Sequence, residues 1–307
     1  METKGLLSLQ IMMFLLMGVG VVLRKKNIIT KEGRNVLTDL VIDVILPCNI
    51  INAFQISLDK EILVSGFQVL VISILLQLFC TTISAVCYKK VPKKQRMILQ
   101  YGTVCSNAGF LGNPVAEGLY GSLGLLYASI YLIPQRIVMW SAGVSYFTES
   151  PDRKEVVKKV LKHPCIIAVE IGLILMLTQF QLPVFLGKTI SSLGNCTTAI
   201  TMMFIGTVLA DAGVDHMISK LTILYSVIRL VAIPAVVMAA CMLFHVESVP
   251  AGLSVVLAAM PAGSTTAILA SKYHGDETFA TQCVVLSTVL SMAVLPVWCM
   301  VLNYFFR

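Results

Sequence analysis

The chain has 307 residues, of which 57% are hydrophobic and only 13% are charged, and its mean hydropathy is +0.86. A soluble protein of this size carries roughly 25% charged residues, so this composition excludes an ordinary soluble enzyme and indicates a membrane protein. The net charge of +7 does not indicate a nucleic-acid partner, because the positive side chains cluster in short loops and form no continuous basic face.

Ten apolar segments of membrane-spanning length use up nearly the whole chain, and no segment remains for a soluble catalytic domain. Span 1 is expected to be retained rather than cleaved as a signal peptide, because its basic cluster Arg24-Lys25-Lys26 follows the apolar stretch. The predicted fold is all-α with ten transmembrane helices, at 6–23, 36–56, 62–88, 96–119, 122–147, 164–181, 186–210, 219–244, 249–273 and 277–304.

Lysine and arginine alternate between the loops of the first half. The loops after spans 1, 3 and 5 carry five each, whereas the loop after span 2 has only Lys60 and the loop after span 4 has none. Short basic loops remain in the cytoplasm. The chain is therefore predicted to be a multi-pass protein of the cell membrane with both termini outside.

Spans 4 and 9 are each interrupted by small and polar residues. Residues 104–121 read VCSNAGFLGNPVAEGLYG and residues 258–275 read AAMPAGSTTAILASKYHG, which sets Asn107 opposite Pro261. Each is the fourth span of a block of five, and five is odd, so the second block must enter the membrane upside down. Paired, interrupted spans at matching positions point to the central binding site of a transporter.

The chain is accordingly predicted to contain two inverted repeats of five spans. The first repeat covers 1–147, a cytoplasmic linker covers 148–163, and the second repeat covers 164–307.

The motifs SNAGFLGNP (106–114) and MPAGSTTAILASKYHGDETFATQCVVLSTVLSMAVLP (260–296) resemble the auxin efflux carrier superfamily, and the ten-span layout extends the resemblance over essentially the full chain. This superfamily holds the plant PIN-formed carriers and bacterial permeases assigned to malate or malonate. The resemblance implies a fold like that of bile-acid sodium symporters. Spans 1, 2, 6 and 7 would form a scaffold, through which two copies dimerise, and spans 3–5 and 8–10 a mobile transport domain.

The resemblance also implies that the broken spans 4 and 9 cross at their unwound centres, around Ser106-Asn107 and Pro261-Ala262. The plant carriers have a proline where Ser106 stands and a glutamine where Ala262 stands. The site is therefore expected to be smaller and less polar on one side, which argues against auxin as the substrate.

A broken helix leaves N–H and C=O groups that lipid cannot satisfy, so it needs partners from protein, an ion or a water-filled cavity. Half-helix N-termini then suit an anion such as a carboxylate. The alternative is a simple proline kink, with hydroxyls such as Ser264 bonded to their own helix. The predicted helix-breaking residues are Gly109, Gly112, Pro114 and Pro261. The predicted substrate-binding residues are Ser106, Asn107, Asn113, Arg136, Pro261, Ala262, Gly263 and Ser264.

Charged residues inside spans are rare and usually functional. Arg136 lies near mid-depth of span 5, where it either pairs bidentately with a substrate carboxylate or forms a structural pair with Glu117 or another acid. Asp43 in span 2 and Glu117 in span 4 are candidates for carrying a coupling proton or cation, and Glu170 is a weaker one. Arg229 is predicted to bond carbonyls freed by the proline five residues later.

Other titratable residues point to no catalytic or metal site. Asp211, Asp215 and His216 are interpreted as a solvated turn after span 7. All four histidines fall near span ends and no two have i, i+4 spacing, so neither a metal site nor a zinc protease is expected. The nine cysteines mostly fall in apolar segments and are interpreted as small buried hydrophobic residues. No cofactor is expected.

The leading hypothesis is a secondary carrier of a small organic anion, a mono- or dicarboxylate, that works by elevator-type alternating access with H⁺, Na⁺ or the membrane potential as its driving force. The alternative within transport is a Na⁺-coupled symporter of the bile-acid type. An intramembrane hydrolase would need paired aspartates or a Ser/His dyad at depth, and the four histidines fall near span ends, so this alternative is disfavoured.

Overall fold

The computed structural model describes residues 3–57, 59–143, 145–147, 153–211, 218–273 and 275–305. Throughout these residues the regular structure is helical and contains no β-strand, as the sequence predicted. Five helical stretches in the described ranges are long and apolar enough to cross a membrane: Glu32–Ala53, Lys60–Cys87, Val184–Ala210, Lys220–Leu243 and Glu277–Phe305.

In the described part of the chain, the first half forms six α-helices, which are α1 (Thr3–Lys25), α2 (Lys31–Leu40), α3 (Leu46–Ala53), α4 (Lys60–Cys87), α5 (Lys93–Val104) and α6 (Asn113–Val138). The chain reverses within α6, because Gly121 has a φ of +62° and a Cβ added at Gly124 would lie 2.2 Å from the Ala116 carbonyl oxygen. A straight helix would hold residues eight apart about 12 Å from each other. α6 thus contains the end of predicted span 4 and most of span 5.

The second half forms nine further α-helices, of which α7 (Arg153–Leu161) was not predicted and lies in the segment expected to be a plain linker. The others are α8 (Pro164–Thr178), α9 (Val184–Gly194), α10 (Thr197–Ala210), α11 (Lys220–Val227), α12 (Ile233–Leu243), α13 (Ser248–Ala258), α14 (Thr265–Lys272) and α15 (Glu277–Phe305).

Three of the helical connections contain a π-helical turn that ends two residues before a proline. These turns are Val41–Ile45 before Pro47, Ala108–Gly112 before Pro114 and Ile228–Ala232 before Pro234. Proline lacks an N–H, and its ring clashes with the carbonyl four residues earlier. A π-turn inserts one extra residue and relieves that clash without ending the helix.

The carbonyl freed by Pro234 is that of Leu230, and the indole Nε1 of Trp298 donates to it at 2.8 Å. The prediction that Arg229 would serve carbonyls freed by this proline was therefore wrong. Arg229 Nη1 instead donates to the Thr103 carbonyl at 3.5 Å.

The helices pack as two groups. In the first group α1 packs along α10, and α3 packs on α8 and α9; in the second group α4, α5, α6 and α11 to α15 pack on one another. Contacts between the groups run mainly from α3 to α6 and from α1 to α15. On the outer surface Leu15, Phe67 and Leu78 are 66%, 67% and 61% exposed, which a protein in lipid tolerates and a soluble monomer avoids.

Asp211 ties the ends of the first group together. Its carboxylate accepts from Arg24 Nε at 2.6 Å and from Arg34 Nη1 at 3.0 Å, so α1, α2 and α10 meet at one carboxylate. Asp211 is exposed and lies in a turn after α10, as predicted, and it additionally pairs with two arginines. The rest of that predicted turn, Asp215 and His216, lies outside the described residues.

The α1–α10 contact depends on two glycines. A Cβ added at Gly20 would lie 2.0 Å from the Met203 carbonyl oxygen, and one added at Gly206 would lie 2.0 Å from the Met17 carbonyl oxygen, whereas Gly18 faces open space. We expect Gly206→Val to destabilise the protein by at least about 3 kcal/mol, because backbone would have to move. The unfolding midpoint in detergent tests this.

Gly18→Val on the same helix is the control and should stay close to wild type. Equal decreases of the unfolding midpoint in Gly18→Val and Gly206→Val would show that helix propensity, and not close packing, causes the destabilisation.

A double-mutant cycle tests the Trp298 contact. Trp298→Phe should cost about 1–3 kcal/mol in the wild-type background, because it leaves the Leu230 carbonyl buried without a donor. In Pro234→Ala the restored N–H competes for that carbonyl, so the cost of Trp298→Phe should fall measurably. An equal cost of Trp298→Phe in the two backgrounds would contradict the assignment of Trp298 as the donor to the carbonyl that Pro234 frees.

Candidate functional site

The two broken helices meet at their breaks. α5 ends at Val104 and helical structure resumes at Ala108, while α13 ends at Ala258 and α14 begins at Thr265. Between these ends, Ser106 and Ala262 form an isolated antiparallel bridge. Asn107 N–H donates to the Pro261 carbonyl at 2.8 Å, and Gly263 N–H donates to the Cys105 carbonyl at 3.3 Å. Each break thus supplies hydrogen-bond partners that the other needs.

Side chains from two further helices complete this crossing. Gln135 Nε2 donates to the Ser106 carbonyl at 2.8 Å, and Ser106 Oγ donates to Gln135 Oε1 at 3.0 Å. Ser287 Oγ accepts from the Ala262 N–H at 3.2 Å. Gln135 and Ser287 were not predicted from the sequence. The only signal for Gln135 was an amide in an apolar span, beside the more conspicuous Arg136.

Arg229 lies behind the crossing. It is 2% exposed and donates to the carbonyl of Thr103, in the last turn of α5. The final carbonyls of a helix lack intrahelical donors and carry the negative end of its dipole, so a guanidinium there is favourable. Arg229 therefore stabilises the C-terminal end of the broken helix.

Glycine permits the close approach of α6 and α13 beside the crossing. A Cβ added at Gly112 would lie 2.7 Å from Leu257 Cδ2 and 3.3 Å from Met260 Cγ. Gly109 is different, because a Cβ there would meet nothing within 4 Å. Open space therefore adjoins the first turn after the break.

A cavity of about 560 Å³ lies between the two helix groups and reaches the crossing at Ser264. Polar and charged side chains occur on both walls. The first-group wall is formed by Arg34, Asn35, Thr38, Phe204, Val208 and Asp211, and the second-group wall by Ser264, Ala267, Ile268, Glu277, Thr281 and Val284.

The other seam between the two groups is apolar and nearly closed. Only about 40 Å³ is free between α1, α6 and α15, lined by Met13, Met17, Leu111, Val115 and Leu295 among others. A solute at the crossing would therefore meet a polar cavity on one side and close apolar packing on the other.

Arg136 does not share the contacts of Gln135. Its side chain lies near His163 and Cys165 at the start of α8, and its Nη1 is buried without a hydrogen-bond partner among the described residues. Burial, and secondarily the Arg136 guanidinium, lower the pKa of His163 to about 4. The imidazole is thus neutral at pH 7, and its Nδ1 accepts from the Cys165 N–H at 3.2 Å.

The acids predicted for ion coupling occupy different environments. Glu117 Oε2 accepts from Asn49 Nδ2 at 3.3 Å, and no ion pair with Arg136 occurs in the described structure. Asp43 and Glu170 are exposed on their helices. Asn113, one turn before Glu117, is fully buried, and neither its Oδ1 nor its Nδ2 has a partner among the described residues.

The structure thus brings Ser106, Asn107, Pro261, Ala262 and Gly263 together at the crossing, with Ser264 at the cavity. Asn113 lies further along α6, and Arg136 faces the start of α8.

Comparison with known proteins gives one consistent result. The sequence model of a family described as "Membrane transport protein" matches residues 8–299. An uncharacterized transporter of Methanothermobacter thermautotrophicus is 24% identical over 308 residues, covering 98% of each chain. An uncharacterized transporter of Methanocaldococcus jannaschii is 23% identical over 281 residues, covering 89% of this chain and 91% of the relative.

Gln135 is expected to hold the crossing together. Gln135→Leu leaves the buried Ser106 carbonyl without its side-chain donor and should lower the free energy of unfolding by about 1–3 kcal/mol. Gln77→Leu is the control, because the Gln77 Oε1 is buried without a partner among the described residues and its loss should cost little. Chemical denaturation in detergent measures both, and equal effects would contradict the role of Gln135.

Proposed function

The chain belongs to the membrane transport protein family of the auxin efflux carriers, and from this premise we propose that it is a secondary transporter of a small organic anion. The observation that carries the proposal is the antiparallel pairing of two broken helices, with Ser264 opening onto a cavity between two helix groups. Irregular backbone is tolerated at membrane depth only where it lines a site or a cavity.

The proposed topology has ten spans in two inverted repeats, 1–147 and 164–307, with a cytoplasmic linker between them. Its support is that the broken spans hold the same place in each half and pair antiparallel, as an inverted repeat requires. The basic loops further suggest that both termini lie outside the cell membrane.

The two helix groups correspond to the proposed scaffold, spans 1, 2, 6 and 7, and the proposed transport domain, spans 3–5 and 8–10. The transport domain would slide along the scaffold and carry the bound anion with it. The open polar cavity and the nearly closed apolar seam would then belong to a conformation whose site faces the cytoplasm, because the cavity includes Arg34 and Asp211 beside the basic loop after span 1. Dimerisation through the scaffold is part of the same proposal.

The chemistry of the crossing suits a carboxylate. The helical turns after both breaks offer N–H groups and a positive dipole end, and Asn107 adds an amide. Gly109, Gly112, Pro114, Pro261 and Gly263 keep this backbone open. Arg136 Nη1 has no hydrogen-bond partner among the described residues, which supports a role for this residue in binding the second carboxylate of a dicarboxylate.

The coupling that transport needs depends on its direction and on the charge of the solute. Moving one elementary charge across 100 mV is worth about 2.3 kcal/mol, so a monoanion can leave the cell without a coupling ion. Import of an anion requires H⁺ or Na⁺, for which Asp43 and Glu117 are the proposed carriers. A Na⁺-coupled symporter of the bile-acid type is the second candidate, favoured by the half-buried carboxylate of Glu117 beside Asn49. In neither case is an enzymatic activity proposed.

Reconstitution tests this proposal. Proteoliposomes should take up at least one of malate, malonate, succinate and lactate faster than protein-free liposomes, and indole-3-acetate poorly. Asn107→Leu should reduce this uptake at least about tenfold, because it removes a donor to a charged ligand. Asn303→Leu, near the far end of α15, is the matched control and should transport normally.

The proposal fails if wild-type protein moves no carboxylate with or without a Na⁺ or proton gradient. If Asn107→Leu and Asn303→Leu reduce uptake equally, the assignment of Asn107 to the substrate-binding site is wrong.

A further inference from the structure

Glu117 is a carboxylate on a predicted membrane span, and no basic side chain pairs with it among the residues that the structure describes. Its hydrogen-bond partner is the neutral amide of Asn49. Glu117 is half-buried, and a carboxylate that is partly removed from water without a positive partner is unfavourable. A positive charge bound beside it would offset that cost.

Two amides next to Glu117 have oxygen atoms without partners. Asn49 is 1% exposed and its Oδ1 accepts no hydrogen bond from the described residues. Asn113 is 0% exposed, and its whole amide is unpartnered there. Because Asn113 and Glu117 are four residues apart on α6, their side chains project from one face of the helix, about 5–6 Å apart at Cβ.

We infer that Glu117, Asn113 and Asn49 form a binding site for a monovalent alkali cation, with Na⁺ as the best match. The carboxylate and the two amide carbonyls are the hard oxygen ligands that such a cation prefers. A proton on Glu117 would balance the charge, but its single O–H could donate to only one of the two amide oxygens and would leave the other unpaired. A cation can be coordinated by the carboxylate and by both amide oxygens at once.

The charge and the ligand number favour a monovalent ion. One carboxylate neutralises one positive charge, whereas Ca²⁺ sites use 6–8 oxygens and usually several carboxylates. Among the described residues no group of three or more His, Cys, Asp or Glu side chains could hold a metal ion, which likewise disfavours a divalent or transition-metal site here.

The site joins the two helix groups. Asn49 belongs to α3, in the first group, and Asn113 and Glu117 belong to α6, in the second. A cation that bridges them would stabilise the present arrangement of the groups relative to one in which α6 has moved along α3. This consequence rests on the proposed transport function, whereas the binding itself does not.

Unfolding of the full-length protein in detergent tests the site. The midpoint is measured in NaCl, KCl and choline chloride at equal ionic strength, with no carboxylate present. We expect NaCl to raise the wild-type midpoint by about 3 °C over choline chloride, with a smaller rise in KCl. Radioactive Na⁺ should bind in an amount equimolar with the chain.

Two variants should lose the Na⁺ response while remaining folded. Glu117→Gln removes the charge and keeps an oxygen that can accept from Asn49, and Asn113→Leu removes the unpartnered amide at similar volume. Both should unfold in choline chloride no earlier than wild type, because neither variant breaks a hydrogen bond of the described structure. Glu170→Gln, an exposed carboxylate on α8, is the matched control and should keep the response.

Three results would overturn the inference. The first is an unfolding midpoint of the wild type that is no higher in NaCl than in choline chloride, and the second is a Na⁺-dependent rise in the midpoint that persists in Glu117→Gln. The third is a midpoint that rises on acidification and does not depend on Na⁺, which would assign a proton to the site instead. The outcome is separable from the proposed function. Na⁺ binding without carboxylate uptake would refute the transport proposal alone, and uptake without Na⁺ binding would refute the site alone.

Discussion

The structure depends on one constraint, which is that backbone hydrogen bonds broken inside a lipid-facing protein must be remade within the protein. Two helices break where their sequences place Ser, Asn, Gly and Pro, and each break is repaired by the other through the Asn107–Pro261 and Gly263–Cys105 bonds. Neither break would be tolerated alone at membrane depth. Their pairing also fixes the crossing geometry, which positions Ser264 at the cavity between the helix groups.

The same constraint explains side chains that lie away from the crossing. Arg229 caps the carbonyl end of α5, Gln135 bonds the Ser106 carbonyl, and Trp298 bonds the carbonyl that Pro234 leaves free. Each of these polar groups is buried and directed at a main-chain atom that lacks its ordinary partner. Some buried polar side chains thus repair broken backbone hydrogen bonds, whereas others keep an atom without a partner in the described structure.

Buried polar atoms without a partner occur at several places in the described structure, and three of the residues that carry them, Asn49, Asn113 and Arg136, lie where the two helix groups meet. A buried unsatisfied group costs about 1–3 kcal/mol. Their shared position, where the proposed scaffold and transport domain face each other, is where an ion or solute would have its largest effect on the relative stability of two conformations.

Composition and motif determined the coarse facts by themselves. Low charge and long apolar segments required helices in a membrane, since other backbone cannot satisfy itself in lipid, and the two small-residue clusters marked where those helices break. Local sequence also accounts for the π-turns, because proline acts within four residues of itself.

Partners across the fold were decided only by tertiary structure. Arg229 serves Thr103 and not a carbonyl freed by Pro234, Asp211 joins three helices, and Gln135 rather than Arg136 meets Ser106. Adjacent residues on a helix project about 100° apart, so which of two neighbours faces a site depends on how the whole helix is rotated against its neighbours, and packing alone sets that rotation.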